Sequence, residues 1–350
     1  MRVAFFLTQY MEIGGVENVV REVAKRLKKR HKVYLIIRDR KQNTEPEKFW
    51  DGFLKIPSSE KFHQFLKSRK LVEKYIQKNK IDLVNFHNWS PAAPFVFSKF
   101  KKVITMHGSS SERQLNEGRW YAFPFMWLVE EIAMNSCDAI TSITKHHMRL
   151  FALFKPLKTV YNGVDTKFFS PATVKRATAR TELKISGFTG LFIGKFLHVK
   201  GLKYLLDAAR ELEDVHFVII GDGEEKYLLE NAPKNVRWIG AIYDKKVLRK
   251  YYSAADFLVI PSINEGLPLV LLEGLSMGLP VVGTDAGGIP EILRRGGGIA
   301  VPKKNPKAIV CAIESIRMKK LKRKAETVFD WNDVTKGYED LFESVMRGSK

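Results

Sequence analysis

The chain has 350 residues, of which 45% are hydrophobic, and its 59 Lys and Arg against 38 Asp and Glu give a formal net charge of +21. This length favours two domains, and no stretch reaches the roughly 20 consecutive apolar residues that cross a bilayer. Cys137 and Cys311 show no metal or redox spacing, and the N-terminus lacks a signal-peptide pattern. We therefore expect a soluble, cytoplasmic protein.

The first half of the chain alternates short β-rich runs with helical periodicity. Because the β-rich runs carry few polar residues, they are typical of strands that are buried on both faces of a parallel sheet. The predicted strands are Val3–Leu7, Val33–Ile37, Leu83–His87, Val103–His107, Ala139–Thr144 and Thr159–Tyr161. The predicted helices are Val16–Lys29, Glu60–Lys78 and Phe125–Ser136. This alternation predicts an α/β doubly wound sheet whose ligands bind at the carboxyl ends of the strands.

The second half repeats this alternation after a turn at Asn162-Gly163 and a predicted linker over 170–186. Its predicted strands are Gly190–Ile193, His216–Ile220, Val236–Ile239, Phe257–Ile260, Val281–Val282 and Ile299–Val301. Its predicted helices are Gly201–Leu212, Lys245–Ser253, Pro268–Met277 and Lys307–Ile316, and a last amphipathic helix ends near Met346. The sequence thus predicts two domains of the same class.

The net charge fits several anionic partners, namely phosphorylated substrates, anionic membranes and nucleic acids. The densest basic runs are 25–32 and 317–324, and neither is interleaved with the aromatic residues that stack on bases. We therefore expect no nucleic-acid partner, and the charge is compatible with peripheral association at the inner face of an anionic membrane. The aromatic segment 119–127 fits core packing, an acceptor pocket or a membrane foothold.

A turn followed by an apolar helix predicts a binding site after the strand Phe257–Ile260. Pro268 is suited to the first helical position, and the free N–H groups of a helix start attract phosphate. Glu265 in the turn and Glu273, about two helical turns later, are suited to accept hydrogen bonds from sugar hydroxyls. Together they indicate a sugar nucleotide.

Lys195 and Lys200 follow the first strand of the second domain, where both can reach one anionic group. Fixed cations there would stabilise a departing diphosphate. The chain has no Asp-x-Asp triplet and no His/Asp cluster with ligand spacing, so we expect neither metal nor other cofactor.

The turn Glu265 to Glu273, with Gly278-Leu279-Pro280-Val281-Val282 and Gly287-Gly288-Ile289-Pro290-Glu291 behind it, resembles glycosyltransferase family four. That resemblance implies a retaining enzyme with the GT-B fold, in which two Rossmann-like domains flank a cleft. It implies an acceptor domain over 1–167, a donor domain over 168–332, and a terminal helix over 333–350 that packs back on the first domain.

The resemblance also assigns roles to individual residues. It implies that Glu265 holds the donor sugar, that Glu273 binds ribose hydroxyls, and that Lys195 and Lys200 grip the diphosphate. Gly266, Leu267 and Pro268 would contact the sugar and phosphate through their backbone, Gly15 would be a donor contact, and His107 would lie at the reaction centre. Lys195 stands where arginine is commoner, and Gly108 stands where an acidic residue often follows the histidine.

We therefore expect a hexosyltransferase that uses UDP- or GDP-sugar and a hydroxyl acceptor, which is a glycolipid, a polysaccharide or a small molecule. One alternative keeps the fold but makes the chain a sugar-nucleotide epimerase or a phosphorylase. The other makes it a non-catalytic basic protein that docks on anionic lipid.

Overall fold

A computed structural model describes residues 1–11, 14–40, 43–57, 62–146, 157–319 and 328–348 of the chain. Two compact units account for these residues. Unit 1 comprises Met1–Asn162 and Trp331–Lys350, and unit 2 comprises Gly163–Asp330. The C-terminal helix therefore belongs to the same unit as the first strand.

Unit 1 is built on a seven-stranded sheet whose strand order is β3-β2-β1-β4-β5-β6-β7, with every pair parallel. The strands are β1 Arg2–Leu7, β2 Lys32–Arg38, β3 Gly52–Ile56, β4 Leu83–His87, β5 Lys101–Met106, β6 Ala139–Ser142 and β7 Leu157–Thr159. The helices are α1 Gly15–Leu27, α2 Phe62–Asn79, α3 Trp89–Ala92, α4 Ser110–Asn116 and α5 Phe123–Asn135. The order reverses between β1 and β4, so the carboxyl ends there form a topological switch point.

Five predicted strands of unit 1 are present, the predicted strand Thr159–Tyr161 shares only Thr159 with β7, and the sequence prediction missed β3. This edge strand pairs with β2, and of its five residues Ile56 is buried, Phe53 is exposed and the other three are partly exposed. Its weak apolar pattern explains the omission. The predicted fourth strand is consequently the fifth, and it ends at Met106, so His107 is the first residue after it.

Unit 2 has a six-stranded parallel sheet in the order β10-β9-β8-β11-β12-β13. Its strands are β8 Thr189–Ile193, β9 His216–Ile220, β10 Val236–Gly240, β11 Phe257–Ile260, β12 Val281–Thr284 and β13 Gly298–Val301. Its helices are α6 Arg176–Leu183, α7 Leu202–Glu211, α8 Lys245–Ala254, α9 Leu269–Ser276, α10 Ile289–Leu293 and α11 Pro306–Met318.

The prediction of a linker over 170–186 was wrong, because α6 lies within it. This short helix buries Ala179, while the Arg180 guanidinium donates to the Ala254 carbonyl at 2.9 Å and pairs with Asp256. A helix of two turns with a single buried apolar side chain leaves little periodicity in the sequence.

The last helix, α12 Trp331–Arg347, packs in unit 1 through an apolar face. Its Phe342 is fully buried, with the ring centroid 6.5 Å from that of Phe5 in β1. On its polar side, Glu339 lies 2.7 Å from the His31 ring nitrogen Nε2. An amphipathic helix of this length is held by tertiary packing of its apolar stripe.

The turn into α7 requires glycine. Gly201 has a left-handed φ of +69°, and a Cβ there would lie 2.1 Å from the Pro261 carbonyl oxygen. The loop after β8 can therefore approach the end of β11 closely only if position 201 lacks a side chain.

We predict that Gly201→Ala lowers the free energy of unfolding by about 2 kcal/mol or more, from left-handed strain plus displacement of the Pro261 backbone. Calorimetric melting measures the effect. Gly194→Ala is the control, because a Cβ at Gly194 would meet only the Phe192 ring at 3.6 Å. Equal melting temperatures for the two variants would contradict the account.

Candidate active site

Two loops of unit 2 lie side by side because they follow neighbouring strands. β8 pairs with β11, and the loops after them carry Lys200 and Glu265. The Ile263 N–H donates to the Val199 carbonyl at 2.8 Å and so joins the loops through their backbones. Residues 65 positions apart are therefore held at one edge of the sheet.

Lys200 and Glu265, which the sequence placed in one site, are in direct contact. The Lys200 ammonium forms a close ion pair with Glu265 Oε1, and the Ser262 hydroxyl donates to the same oxygen at 3.1 Å. Both charged side chains are only partly exposed. A cation and a carboxylate thus share one point at the strand ends.

A third loop supports Glu265 from β12. Gly287 has a φ of +52°, and a Cβ there would lie 1.9 Å from the Glu265 carbonyl oxygen. The Gly288 N–H donates to the Gly266 carbonyl at 2.7 Å. The paired glycines therefore let the backbone after β12 pack directly against the Glu265 loop.

The helix behind this loop begins one residue later than predicted. Pro268 has extended backbone angles and is the N-cap, and Leu269 is the first residue of α9. The prediction that Pro268 occupies the first helical position was therefore wrong. Leu267 is buried, so an apolar side chain anchors the loop between Glu265 and the helix. The first N–H groups of the helix still point back toward the loop.

Glu273 lies in α9 and contacts a tyrosine that the sequence did not suggest. The hydroxyl of the buried Tyr252 in α8 donates to Glu273 Oε2 at 2.7 Å. Burial raises the pKa of the Glu273 carboxyl, and the Tyr252 hydrogen bond and the charge of Lys245 oppose that shift only in part. One carboxylate oxygen is thereby fixed by the protein.

Lys195 lies on the first part of the loop after β8 and is exposed. The next residue, Phe196, is fully buried, and its N–H donates to the Asp222 carbonyl at 2.9 Å. The backbone that carries Lys195 is therefore anchored. Among the described residues, no ion pair to Lys195 occurs.

In unit 1, His107 stands next to a second histidine. His87 Nδ1 lies 2.7 Å from His107 Nε2, and the ring centroids are 4.9 Å apart with an angle of 27° between the ring planes. The His107 backbone N–H donates to Asn88 Oδ1 at 2.9 Å. His87 is buried, and burial together with His107 lowers its pKa well below the usual range. His87 ends β4 and His107 follows its parallel neighbour β5, so both histidines lie at one edge of the sheet. The sequence analysis did not predict their contact.

Gly15, the remaining predicted residue, is the first residue of α1. A Cβ at Gly15 would meet nothing within 4 Å, whereas one at Gly14 would meet the Glu17 carboxylate at 1.9 Å. A side chain at position 14 would therefore displace the end of the Glu17 side chain, whereas a Cβ at position 15 would displace none of the described residues. Among the described residues, no group of three or more His, Cys, Asp or Glu side chains is arranged to hold a metal ion.

Comparison with known proteins identifies the class. The family profile described as "Glycosyl transferases group 1" matches residues 187–317, and that described as "Glycosyltransferase Family 4" matches residues 13–168. An uncharacterized glycosyltransferase of Methanocaldococcus jannaschii is 26% identical over 87% of this chain and 85% of its own. A glycogen synthase of Mycobacterium tuberculosis is 24% identical over 77% of this chain and 70% of its own.

Solved structures agree in fold. Sucrose-phosphate synthase from Thermosynechococcus elongatus superposes with a TM-score of 0.85 over 100% of both chains at 19% identity. Anabaena HepE in complex with UDP-glucose superposes with a TM-score of 0.76 at 18% identity, over 98% of this chain and 100% of its own. The GT-B fold class predicted from the sequence is confirmed.

Because the pKa of Glu273 is raised in the folded protein, its ionisation should make the melting temperature depend on pH. A carboxyl whose pKa is higher in the folded state favours folding less once it ionises, so its destabilisation is absent below the ordinary pKa and is complete above the folded pKa. Glu273→Gln, which keeps an acceptor for Tyr252, should therefore gain melting temperature relative to the wild type as pH rises from about 4.5 to 8. A constant difference between the two proteins across this range would contradict the burial of Glu273.

Proposed function

We propose that the chain moves a hexose from a nucleotide sugar to a hydroxyl acceptor. It belongs to the glycosyltransferases that the group 1 and family 4 profiles describe, and it has the GT-B fold. We propose further that it retains the anomeric configuration and needs no metal ion. The observation that carries the proposal is the Lys200–Glu265 pair, which places a phosphate-binding cation beside a hydroxyl-binding carboxylate.

The donor site is assigned to the strand ends of unit 2. Lys200, Lys195 and the first N–H groups of α9 offer positive charge to a diphosphate. Glu265, with the backbone of Gly266, Leu267 and Pro268, takes the sugar. Glu273 takes the ribose hydroxyls through the oxygen that Tyr252 does not occupy. HepE has been crystallised with UDP and with UDP-glucose, which supports a uridine nucleotide as the first donor to test.

The proposed chemistry is a front-face displacement. The bond between the anomeric carbon and the donor phosphate oxygen breaks, and the acceptor oxygen bonds to the same face of the carbon. The acceptor's proton passes to the departing phosphate oxygen, so no enzymic base is needed. The two lysines stabilise the charge that grows on the diphosphate, and His107 and Gly15 are assigned contacts to the donor. A covalent sugar trapped on Glu265 would contradict this mechanism.

The acceptor is proposed to be lipid-linked, with peripheral association at an anionic membrane. An exposed apolar strip in and just before α5 supports this, with Trp120 73%, Tyr121 68% and Phe125 68% exposed. Trp and Tyr are favoured where a protein meets the headgroups of a membrane. None of the helices in the described part of the chain is long and apolar enough to span a bilayer.

We predict that one nucleotide among UDP, GDP and ADP, with its hexose conjugates, raises the melting temperature in scanning fluorimetry, equally with EDTA and with Mg²⁺. Lys200→Ala should lower the affinity for this nucleotide about 100-fold or more, because the change removes a cation and leaves Glu265 unpaired beside the phosphates.

The matched control is Lys203→Ala. Lys203 is exposed on α7 and pairs with Asp207, away from Glu265, so its loss should leave nucleotide affinity unchanged. A stabilisation that requires metal would contradict the metal-free proposal. If product analysis finds an isomerised nucleotide sugar or a sugar phosphate, the chain is the epimerase or phosphorylase. No shift with any nucleotide at millimolar concentration would favour the non-catalytic lipid-docking protein.

We also predict that the chain floats with phosphatidylglycerol vesicles, and that replacing Trp120 and Phe125 with Ala lowers this binding on the order of tenfold through lost apolar contact. Replacing the exposed Tyr227 of unit 2 with Ala is the control. Unchanged flotation of the double variant would show that this strip does not meet the membrane.

A further inference from the structure

Two arginines lie at the carboxyl edge of the sheet in unit 1. Arg38 is the last residue of β2, and Arg40 comes two positions later. The Asp39 N–H donates to the Ile56 carbonyl at 2.7 Å, so the pairing with β3 continues past the end of the strand. Because side chains alternate along an extended chain, Arg38 and Arg40 share one face and Asp39 takes the other.

The Arg38 side chain crosses the end of β1. Its Nη2 donates to the Ser90 carbonyl at 3.1 Å, and Ser90 belongs to α3, which follows β4. In the sheet, β1 lies between β2 and β4. The guanidinium of Arg38 therefore lies at the topological switch point, which is where open α/β sheets bind their ligands.

The backbone of both arginines is held by one residue of the following loop. Asn43 Nδ2 donates to the Arg38 carbonyl at 2.7 Å, and the Asn43 N–H donates to the Arg40 carbonyl at 3.0 Å. Asn43 Oδ1 in turn accepts from the Tyr10 N–H at 2.9 Å. The two cations are thus placed before any ligand arrives, which reduces the entropy lost on binding.

The charge of these arginines is not balanced by the protein. In the described part of the chain, neither Arg38 nor Arg40 forms an ion pair, and Glu45 and Glu47 of the following loop pair with other basic residues. Burial and then the charge of Arg40 lower the pKa of Arg38. A guanidinium nevertheless stays charged in a protein, so the lost hydration and the repulsion persist until an anion binds.

We propose that Arg38 and Arg40 bind a phosphate group carried by the acceptor. A guanidinium matches two phosphate oxygens at once, and Arg38 keeps N–H donors for a ligand because Ser90 takes one of them. A phosphate monoester carries about two negative charges at neutral pH, which two cations balance. The inference rests on the proposed transfer, which assigns the donor diphosphate to unit 2 and leaves this site to the acceptor.

Calorimetry on the full chain without donor tests the site with glycerol 3-phosphate, and with glycerol as the probe that lacks phosphate. We expect only glycerol 3-phosphate to bind. Arg40→Gln removes a cation, and Arg38→Lys keeps the charge but loses the planar fork, so each should lower the affinity about tenfold. Because Arg40 is exposed, its variant keeps the test decisive if Arg38→Lys fails to fold.

The matched control is Arg30→Gln, which removes the same charge from the same unit. Arg30 is exposed, pairs with Glu339 and precedes β2, so it lies at the opposite edge of the sheet. Arg30→Gln should leave the affinity for glycerol 3-phosphate unchanged, as should Lys200→Ala in the proposed donor site. Equal weakening by either control, or no binding at millimolar concentration, would overturn the proposal.

A second probe distinguishes two sources of the phosphate. Dihexanoyl phosphatidylglycerol is a soluble phospholipid whose headgroup also contains glycerol and phosphate. If it binds more tightly than glycerol 3-phosphate and loses affinity in Arg40→Gln, the site takes a phospholipid headgroup. If glycerol 3-phosphate binds more tightly with the same loss, the site takes a soluble phosphate ester.

Turnover separates failure of this inference from failure of the proposed function. With a phosphorylated acceptor, Arg40→Gln should raise the KM for that acceptor about tenfold and leave kcat and the KM for the donor nearly unchanged. A raised KM for the donor instead would assign the arginines to the nucleotide sugar and overturn the proposal. Absence of transfer by the wild type would refute the proposed function, while calorimetry would still decide whether the arginines bind phosphate.

Discussion

The donor site proposed for unit 2 depends on the ion pair between Lys200 and Glu265. It exists because β8 and β11 are parallel neighbours whose following loops end at the same edge, with glycine at position 201 allowing close approach to Pro261. A partly exposed ion pair contributes little to stability. Its use is electrostatic: the carboxylate holds the lysine in place, and a phosphate that competes for the ammonium leaves Glu265 able to accept hydrogen bonds from hydroxyls.

Parallel pairing of neighbouring strands also positions the candidate residues of unit 1. His87 ends β4 and His107 follows β5, so parallel pairing brings both rings to one edge, as it brings Lys200 to Glu265 in unit 2. In each unit, a buried or half-buried polar partner restrains the residue assigned to the ligand. Ser262 and Lys200 restrain Glu265, Tyr252 restrains Glu273, and His87 restrains His107. Such support reduces the side-chain entropy that these residues lose when a ligand binds.

Much of this could be predicted from the sequence. Buried parallel strands are continuous apolar runs, so β4, β9 and β11 were predicted at their observed limits, and the glycine and proline punctuation around Glu265 indicated the turn into α9. The edge strand β3 and the short helix α6 were missed because each buries too few apolar residues to show periodicity. The partners of the site residues could not be found, since the Tyr252–Glu273 and His87–His107 contacts depend on strand register and side-chain rotamers rather than on spacing.

The most direct test of the central claim is a calorimetric comparison of wild type and Glu265→Gln, each titrated with UDP and UDP-glucose and with GDP and GDP-mannose. Because the variant frees Lys200 and removes the sugar's charged acceptor, the plain nucleotide should bind at least as tightly as to the wild type. The sugar conjugate should bind about 10- to 100-fold more weakly. Equal weakening of the nucleotide and of its sugar conjugate would show that Glu265 does not hold the donor sugar.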